Sequence, residues 1–213
     1  MPHVIDTSVF QYRFGTKNEV FSDLPIIRAK QVHSTDIAQV TNQAAERLPE
    51  ADGIVTSLKG VPIGVITADC VPMLFADPVK KVIAVSHQGW KGTYNNMPAH
   101  MIASMVSLGS VPADIRVVIG PSIGPCCYGV YGERYAMFKE RFSAYADRIF
   151  LRQGDNTFLH LASLNRVLLI EAGVSEQHIE LPISCTKCDS ARYYSFQRNG
   201  SGCGHMISYI MMT

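Results

Sequence analysis

The sequence predicts an α+β fold in which helices pack on a mixed, largely antiparallel sheet. Three observations carry that expectation. Short runs rich in Val and Ile between Gly53 and Ser86 are broken by turn residues, helical periodicity follows in three later stretches, and strand texture returns near the C-terminus. No internal repeat, low-complexity tract or linker divides the 213 residues, so residues 1–213 are read as one domain able to bury a substantial core.

The first fifty residues are polar and broken, with a strand expected near the start and another over 37–40. Strands are expected at 53–57, 61–68, 72–76 and 81–86, separated by Lys59-Gly60, Ala68-Asp69 and Asp77-Pro78; the last two form a hairpin around residues 77–80. A helix over 98–108 presents Met101, Met105 and Leu108 on one face and stops at Gly109. Residues 115–119 read as a strand running into Gly120-Pro121. Periodicity predicts helices over 131–145 and 159–172, the second ended by Gly173. Residues 193–196 and 206–211 return to strand texture.

Composition narrows the function. Lys and Arg number 19 against 18 Asp and Glu, and no basic stripe is present, so nothing provides the electrostatic footprint of a nucleic-acid partner. No apolar run has the length of a membrane span. The N-terminal residues MPHVIDTSVFQYRF lack the pattern of a secretory signal, and a cytoplasmic location is expected. The six cysteines are then expected as reduced thiols, metal ligands or catalytic groups, not as a disulfide framework.

Chemistry-bearing side chains cluster where strands are expected to end. Cys70 follows an apolar strand in ITADC, His87 closes VIAVS and opens HQGWKG, and His33 lies in KQVHS before a strand. A rigid sheet positions such residues while the adjoining loops expose them. Two imidazoles and a thiolate suit zinc and leave a fourth position for water or substrate; copper also accepts such a set. Taken singly, Cys70 reads more readily as a buried small hydrophobe, and each histidine as a surface or hydrogen-bonded core residue, than as a ligand.

The flanking segments join them. Residues 51–92, from ADGIVTSL through ITADC to HQGWKG, closely resemble the central signature of the YfiH family, also called the laccase-domain or multicopper polyphenol oxidoreductase family. The resemblance continues in KQVHS, IGPSIGPCCYGV, LNRVLLIEAGV, SCTKCD, YYSFQRNG and CGHM. It implies an α/β sandwich shared with cysteine-dependent toxin deamidases, and a site in which His33, Cys70 and His87 serve both as zinc ligands and as catalytic residues. It further implies a zinc-dependent purine nucleoside phosphorylase acting on adenosine, inosine or methylthioadenosine, with adenosine deamination as a companion activity. The implied partners are a purine nucleoside and phosphate, with no nucleic acid and no membrane, for a chain acting as a monomer or dimer.

The chain departs from the family pattern at Lys91, Gly129, Gln197, Asn199 and His205, all of which stand where Arg or an acidic residue is usual. Lysine serves phosphate as a point charge without the bidentate fork of arginine. Lys91 and Arg198 are expected to hold phosphate. His205 is a candidate for the site, and Asp69 either orients a ligand from behind or caps its turn. Trp90 either stacks on a purine or packs in the core.

Competing readings remain alongside: a metal-independent Cys–His hydrolase or amidase with Cys70 attacking and His87 as base, and a non-catalytic metal-binding protein. A multicopper oxidase centre requires roughly ten histidine ligands, and the chain has 7 scattered histidines. Cys185-Thr-Lys-Cys188 has zinc-knuckle spacing but lacks a second pair of that kind, because Cys126 and Cys127 are adjacent; packed or exposed thiols are the expected reading.

Overall fold

The computed structural model describes residues 4–19, 21–43, 48–182 and 184–213. Its centre is a six-stranded mixed sheet. In spatial order the strands are β10 (Ile179–Glu180), β7 (Arg116–Ile119), β5 (Val71–Asp77), β6 (Val82–Gln88), β3 (Gly53–Thr56) and β2 (Ile37–Val40). The inner pairs are antiparallel and the two outer pairs, β10–β7 and β3–β2, are parallel. A three-stranded antiparallel sheet, β1 (Phe10–Phe14), β11 (Met206–Met212) and β4 (Ile63–Thr67), packs against it.

All residues of β5 and β6 are buried, which explains the apolar runs VPMLFA and VIAV: each strand faces an apolar layer on both sides. One layer, with Leu74, Ile83 and Val85, meets Ile63, Val65 and Ile210 of the small sheet. The other, with Met73, Phe75 and Ala84, meets two long helices, α2 (Met97–Ser107) and α5 (Leu161–Glu171). The β5–β6 turn is fixed by the Asp77 carboxylate, which accepts from the Val79 and Lys80 amides at 2.8 and 2.9 Å.

The expected central strands and the two long helices are present, with ends shifted by one or two residues. Two local readings need correction, and one hairpin is added. The single helix expected over 131–145 is α3 (Gly132–Arg141), a 3-10 turn and a short α4 (Ala146–Ile149). After it comes an unforeseen hairpin, β8 (Phe150–Gln153) with β9 (Asn156–Leu159), turning at Gly154 with φ 57°. Residues 193–195 form no strand; they lead into a four-residue helix, α6 (Phe196–Asn199), capped by Ser195. Side-chain hydrogen bonds, not a ladder, hold that segment. A five-residue helix, α1 (Trp90–Tyr94), also occupies the glycine-bearing HQGWKG stretch. Among the described residues, no helix is long and apolar enough to cross a membrane.

Candidate active site

Three chain segments converge at one end of the sandwich. Gln31 behaves as a surrogate strand residue: its amide donates to the Ile66 carbonyl at 2.9 Å and its oxygen accepts from the Ile66 amide at 2.8 Å. This pins the QVHS segment to β4. The next turn is set by Asp52, whose Oδ2 accepts from the Val32 amide at 3.0 Å and the Ser34 amide at 2.7 Å. Between those amides His33 adopts φ 62°, a left-handed conformation that an L-residue holds only when its surroundings compel it.

The second segment carries Cys70. Asp69 precedes it with φ 87°, and its carboxylate accepts from Thr186 Oγ1 at 2.6 Å, Ser195 Oγ at 2.9 Å and the Gln197 amide at 2.7 Å. The strained residue is thus held by the C-terminal third of the chain, and Cys70 is delivered half-buried at the start of β5. The third segment is the end of β6, where His87 lies opposite Pro72 and is buried. Its Nδ1 donates to Asp52 Oδ1 at 2.6 Å, which turns the other ring nitrogen toward Cys70 and His33.

The ligand atoms of His33, Cys70 and His87 lie within 4.8 Å of one another, and the two imidazoles meet edge to face at 4.8 Å. Gly89 keeps the space before them open: a Cβ there would stand 2.9 Å from His33 Cδ2 and 3.2 Å from Cys70 Sγ. The donor set, its oriented histidine and this cleared approach fit a small, borderline-soft metal ion. The electrostatics agree. Burial pushes the Cys70 thiol up, but hydrogen bonds from His33 and His87 outweigh it and bring the pKa from 9.0 down to about 7. Burial likewise opposes charge on His87, yet Asp52 and Cys70 raise it from 6.5 to about 9. Asp52, despite burial, is held down at about 2 by His87 and the two amides.

The three side chains open onto a cavity of about 800 Å³ lined in part by Trp90, Lys91, Tyr128, Arg134, Phe196 and His205. The structure therefore brings together His33, Cys70 and His87, with Lys91 and His205 on the same wall. It uses the other two candidates differently. Asp69 reaches this wall, but its carboxylate is consumed in holding Thr186, Ser195 and Gln197. Arg198 is outside the lining, and its guanidinium donates to the carbonyls of Thr186, Lys187 and Tyr193 at 2.7–2.9 Å. The expectation that Arg198 holds phosphate is corrected: it fastens a loop.

Two residues escaped the sequence reading. Asp52 sits in the ADG run, 35 positions from His87, and only strand register joins them. Arg134, on the first turn of α3, places its guanidinium 4.5 Å from the Trp90 ring. Its Nε is buried with no hydrogen-bond partner, so this cation in the cavity lining keeps one donor unused.

This fold and site define a mixed α/β domain with a histidine–cysteine centre at the mouth of a cavity. The chain belongs to the multi-copper polyphenol oxidoreductase laccase family, whose pattern matches residues 12–213. It is 32% identical over 191 residues to the purine nucleoside phosphorylase YlmD of Geobacillus stearothermophilus, covering 85% of this chain and 70% of that protein. It is 29% identical over 194 residues to the adenosine deaminase RL5 of an unknown prokaryotic organism, covering 87% of this chain and 74% of the relative. Among solved structures, Bacillus licheniformis YfiH, described as hypothetical, superimposes with a TM-score of 0.87 at 29% identity, over 98% of this chain and 94% of that one.

Proposed function

We propose that this chain is a zinc-dependent purine nucleoside phosphorylase in which His33, Cys70 and His87 hold the metal and form the catalytic centre. The observation that carries this reading is the convergence of that donor set with the cationic side chains of Lys91 and Arg134 in the lining of one cavity. The relatives named as purine nucleoside phosphorylase and adenosine deaminase support it. When bound, zinc supplies a Lewis acid beside the substrate.

The chain's own part is binding, orientation and charge. Trp90 and Tyr128 offer aromatic faces to a purine, with Phe196, which is 53% exposed, at the rim. Lys91 and Arg134 supply positive charge for phosphate, Arg134 through a planar donor group, and His205 lines the same cavity. Phosphorolysis forms a bond from a phosphate oxygen to the ribose C1′ and breaks the bond from C1′ to the purine nitrogen. One proton passes from the phosphate to the departing base. Asp52 fixes the tautomer of His87 and, through the Val32 and Ser34 amides, the position of His33. Deamination of adenosine needs no phosphate: water adds at the purine C6, the bond from C6 to the amino nitrogen breaks, and ammonia leaves.

One observation favours a second reading. Cys70, His87 and Asp52 form a thiol–imidazole–carboxylate series with the cysteine pKa depressed and the histidine raised, the arrangement of a metal-independent cysteine hydrolase. The resemblance to toxin deamidases belongs to this reading. Chelator-stripped protein separates the two: turnover lost and restored by zinc supports the phosphorylase, whereas full turnover without metal, abolished by alkylating Cys70, supports the hydrolase. A cytoplasmic setting, which keeps these thiols reduced, accompanies either.

A further inference from the structure

A second cluster of metal-ligating side chains lies apart from the His33–Cys70–His87 centre. After β7 the chain runs through Ser122, which bridges to Cys185 in parallel fashion, and the Thr186 amide donates to the Ser122 carbonyl at 3.0 Å. That pairing sets the turn bearing Cys126 and Cys127 against the turn bearing Cys185 and Cys188. The four sulfur atoms all lie within 4.8 Å of one another, with Cys126 to Cys188 at 3.6 Å and Cys127 to Cys188 at 3.4 Å. A tetrahedral zinc with bonds of roughly 2.3 Å requires sulfur–sulfur edges of about 3.8 Å.

The local backbone is shaped around these sulfurs. The Gly124 amide donates to Cys185 Sγ at 3.2 Å, and the Lys187 and Cys188 amides point to the same atom. Amides gathered on one sulfur are what a charged thiolate needs when it is withdrawn from water. Gly124 permits the approach, because a Cβ there would stand 3.2 Å from Cys185 Cβ and 3.3 Å from Cys126 Sγ. Adjacent cysteines on one turn do not form ordinary CxxC geometry, but two converging turns need only deliver four sulfurs to one point.

We propose that Cys126, Cys127, Cys185 and Cys188 form a closed four-thiolate zinc site that clasps the two turns together. Four protein ligands leave no open position, so the site is structural. It has a defined load. Thr186, between the two ligand cysteines of its turn, hydrogen-bonds Asp69 beside Cys70, and Arg198 ties the carbonyls of Thr186 and Lys187 to Tyr193. The clasp thereby supports the backbone that presents Cys70, independently of what reaction occurs there.

The test counts metal and does not depend on turnover. Full-length protein is loaded with zinc, desalted and assayed by elemental mass spectrometry. Wild type should retain two zinc ions per chain, Cys70→Ala one, and Cys70→Ala with Cys188→Ser none. Because the Cys188→Ser change could impair folding, Cys70→Ala is also loaded with cobalt(II). Intense thiolate-to-cobalt charge transfer and the visible bands of a tetrahedral site should appear and then vanish on adding zinc. A Cys70→Ala protein that retains no zinc and gives no such spectrum overturns the proposal. So does a disulfide between any two of these cysteines, found by mass spectrometry in protein isolated under reducing-free conditions.

Discussion

Replacing Asp52 by Asn tests how the centre is organised, because the carboxylate serves two of the three ligands with opposite edges. Oδ1 accepts from His87 Nδ1 at 2.6 Å, while Oδ2 accepts from the Val32 and Ser34 amides at 3.0 and 2.7 Å. Asparagine keeps the shape but has one acceptor oxygen and one donor nitrogen. With the oxygen toward the amides, its NH2 faces His87 Nδ1 and forces the imidazole proton onto the nitrogen that points at Cys70. With the oxygen toward His87, the NH2 confronts two amide donors and the turn holding His33 loosens. Either orientation spoils one ligand. Hydrogen bonds to a charged group are worth about 1.5–3 kcal/mol. Loss of a residue that orients a metal-bound histidine weakens metal binding ~10–100-fold, or ~1.4–2.7 kcal/mol. Zinc affinity measured by competition with a chromophoric chelator should fall by that factor in Asp52→Asn at the His33–Cys70–His87 centre, with the circular dichroism spectrum retained. Unchanged affinity in a folded variant would refute the reasoning, since no other described group bonds His87 Nδ1.

Gly89→Ala should weaken the same metal affinity without global unfolding, because its backbone is extended at φ −74° while its methyl group crowds His33 and Cys70; an unaltered affinity would show that the space before the ligands is not needed. In metal-free protein, iodoacetamide should modify Cys70 with a midpoint near pH 7 instead of 9, rising with pH as the thiol ionises, and peptide mapping distinguishes it from the other cysteines. The Asp52 carboxyl is depressed from 3.8 to about 2, so its stabilising contribution is complete above its unfolded value and is lost as pH falls through the folded one. Denaturant titrations of metal-free protein should show ~2 kcal/mol of stability disappearing over that interval, and Asp52→Asn should lack this component. Arg134→Ala should raise the KM for phosphate by roughly 10–100-fold, as expected for loss of a charged hydrogen bond, with Arg134→Lys recovering part of it. An equal KM in all three proteins would remove Arg134 from the phosphate site.

What the sequence made legible follows physical range. The buried strands β5 and β6 and the helices α2 and α5 are long, periodic and apolar, so local pattern suffices for them. Cys70 and His87 stand at strand ends and His33 in the turn before β2, but their union rests on the family signature, since nothing local distinguishes Cys70 from a packed thiol. Asp52 was invisible because a buried carboxylate 35 residues from its histidine meets it only through the β3–β6 register. The same holds for the four-cysteine cluster, where Cys126 and Cys188 are 62 residues apart and join through the bridge between Ser122 and Cys185. Residues 193–196 misled because Tyr193, Tyr194 and Phe196 have strand-forming side chains, whereas Asp69 and Arg198 recruit the segment's polar groups into a capped turn. The short α1 is equally illegible, being five residues with a glycine within it.

The central claim is tested most directly by product analysis. Zinc-loaded protein is incubated with adenosine, inosine or methylthioadenosine, with and without inorganic phosphate, and the mixtures are separated by liquid chromatography beside Cys70→Ala. The account predicts free purine base and an equal amount of the ribose phosphate, formed only with phosphate and absent in the variant. Nucleosides recovered intact from every wild-type reaction, with the metal centre shown to be filled, would contradict it.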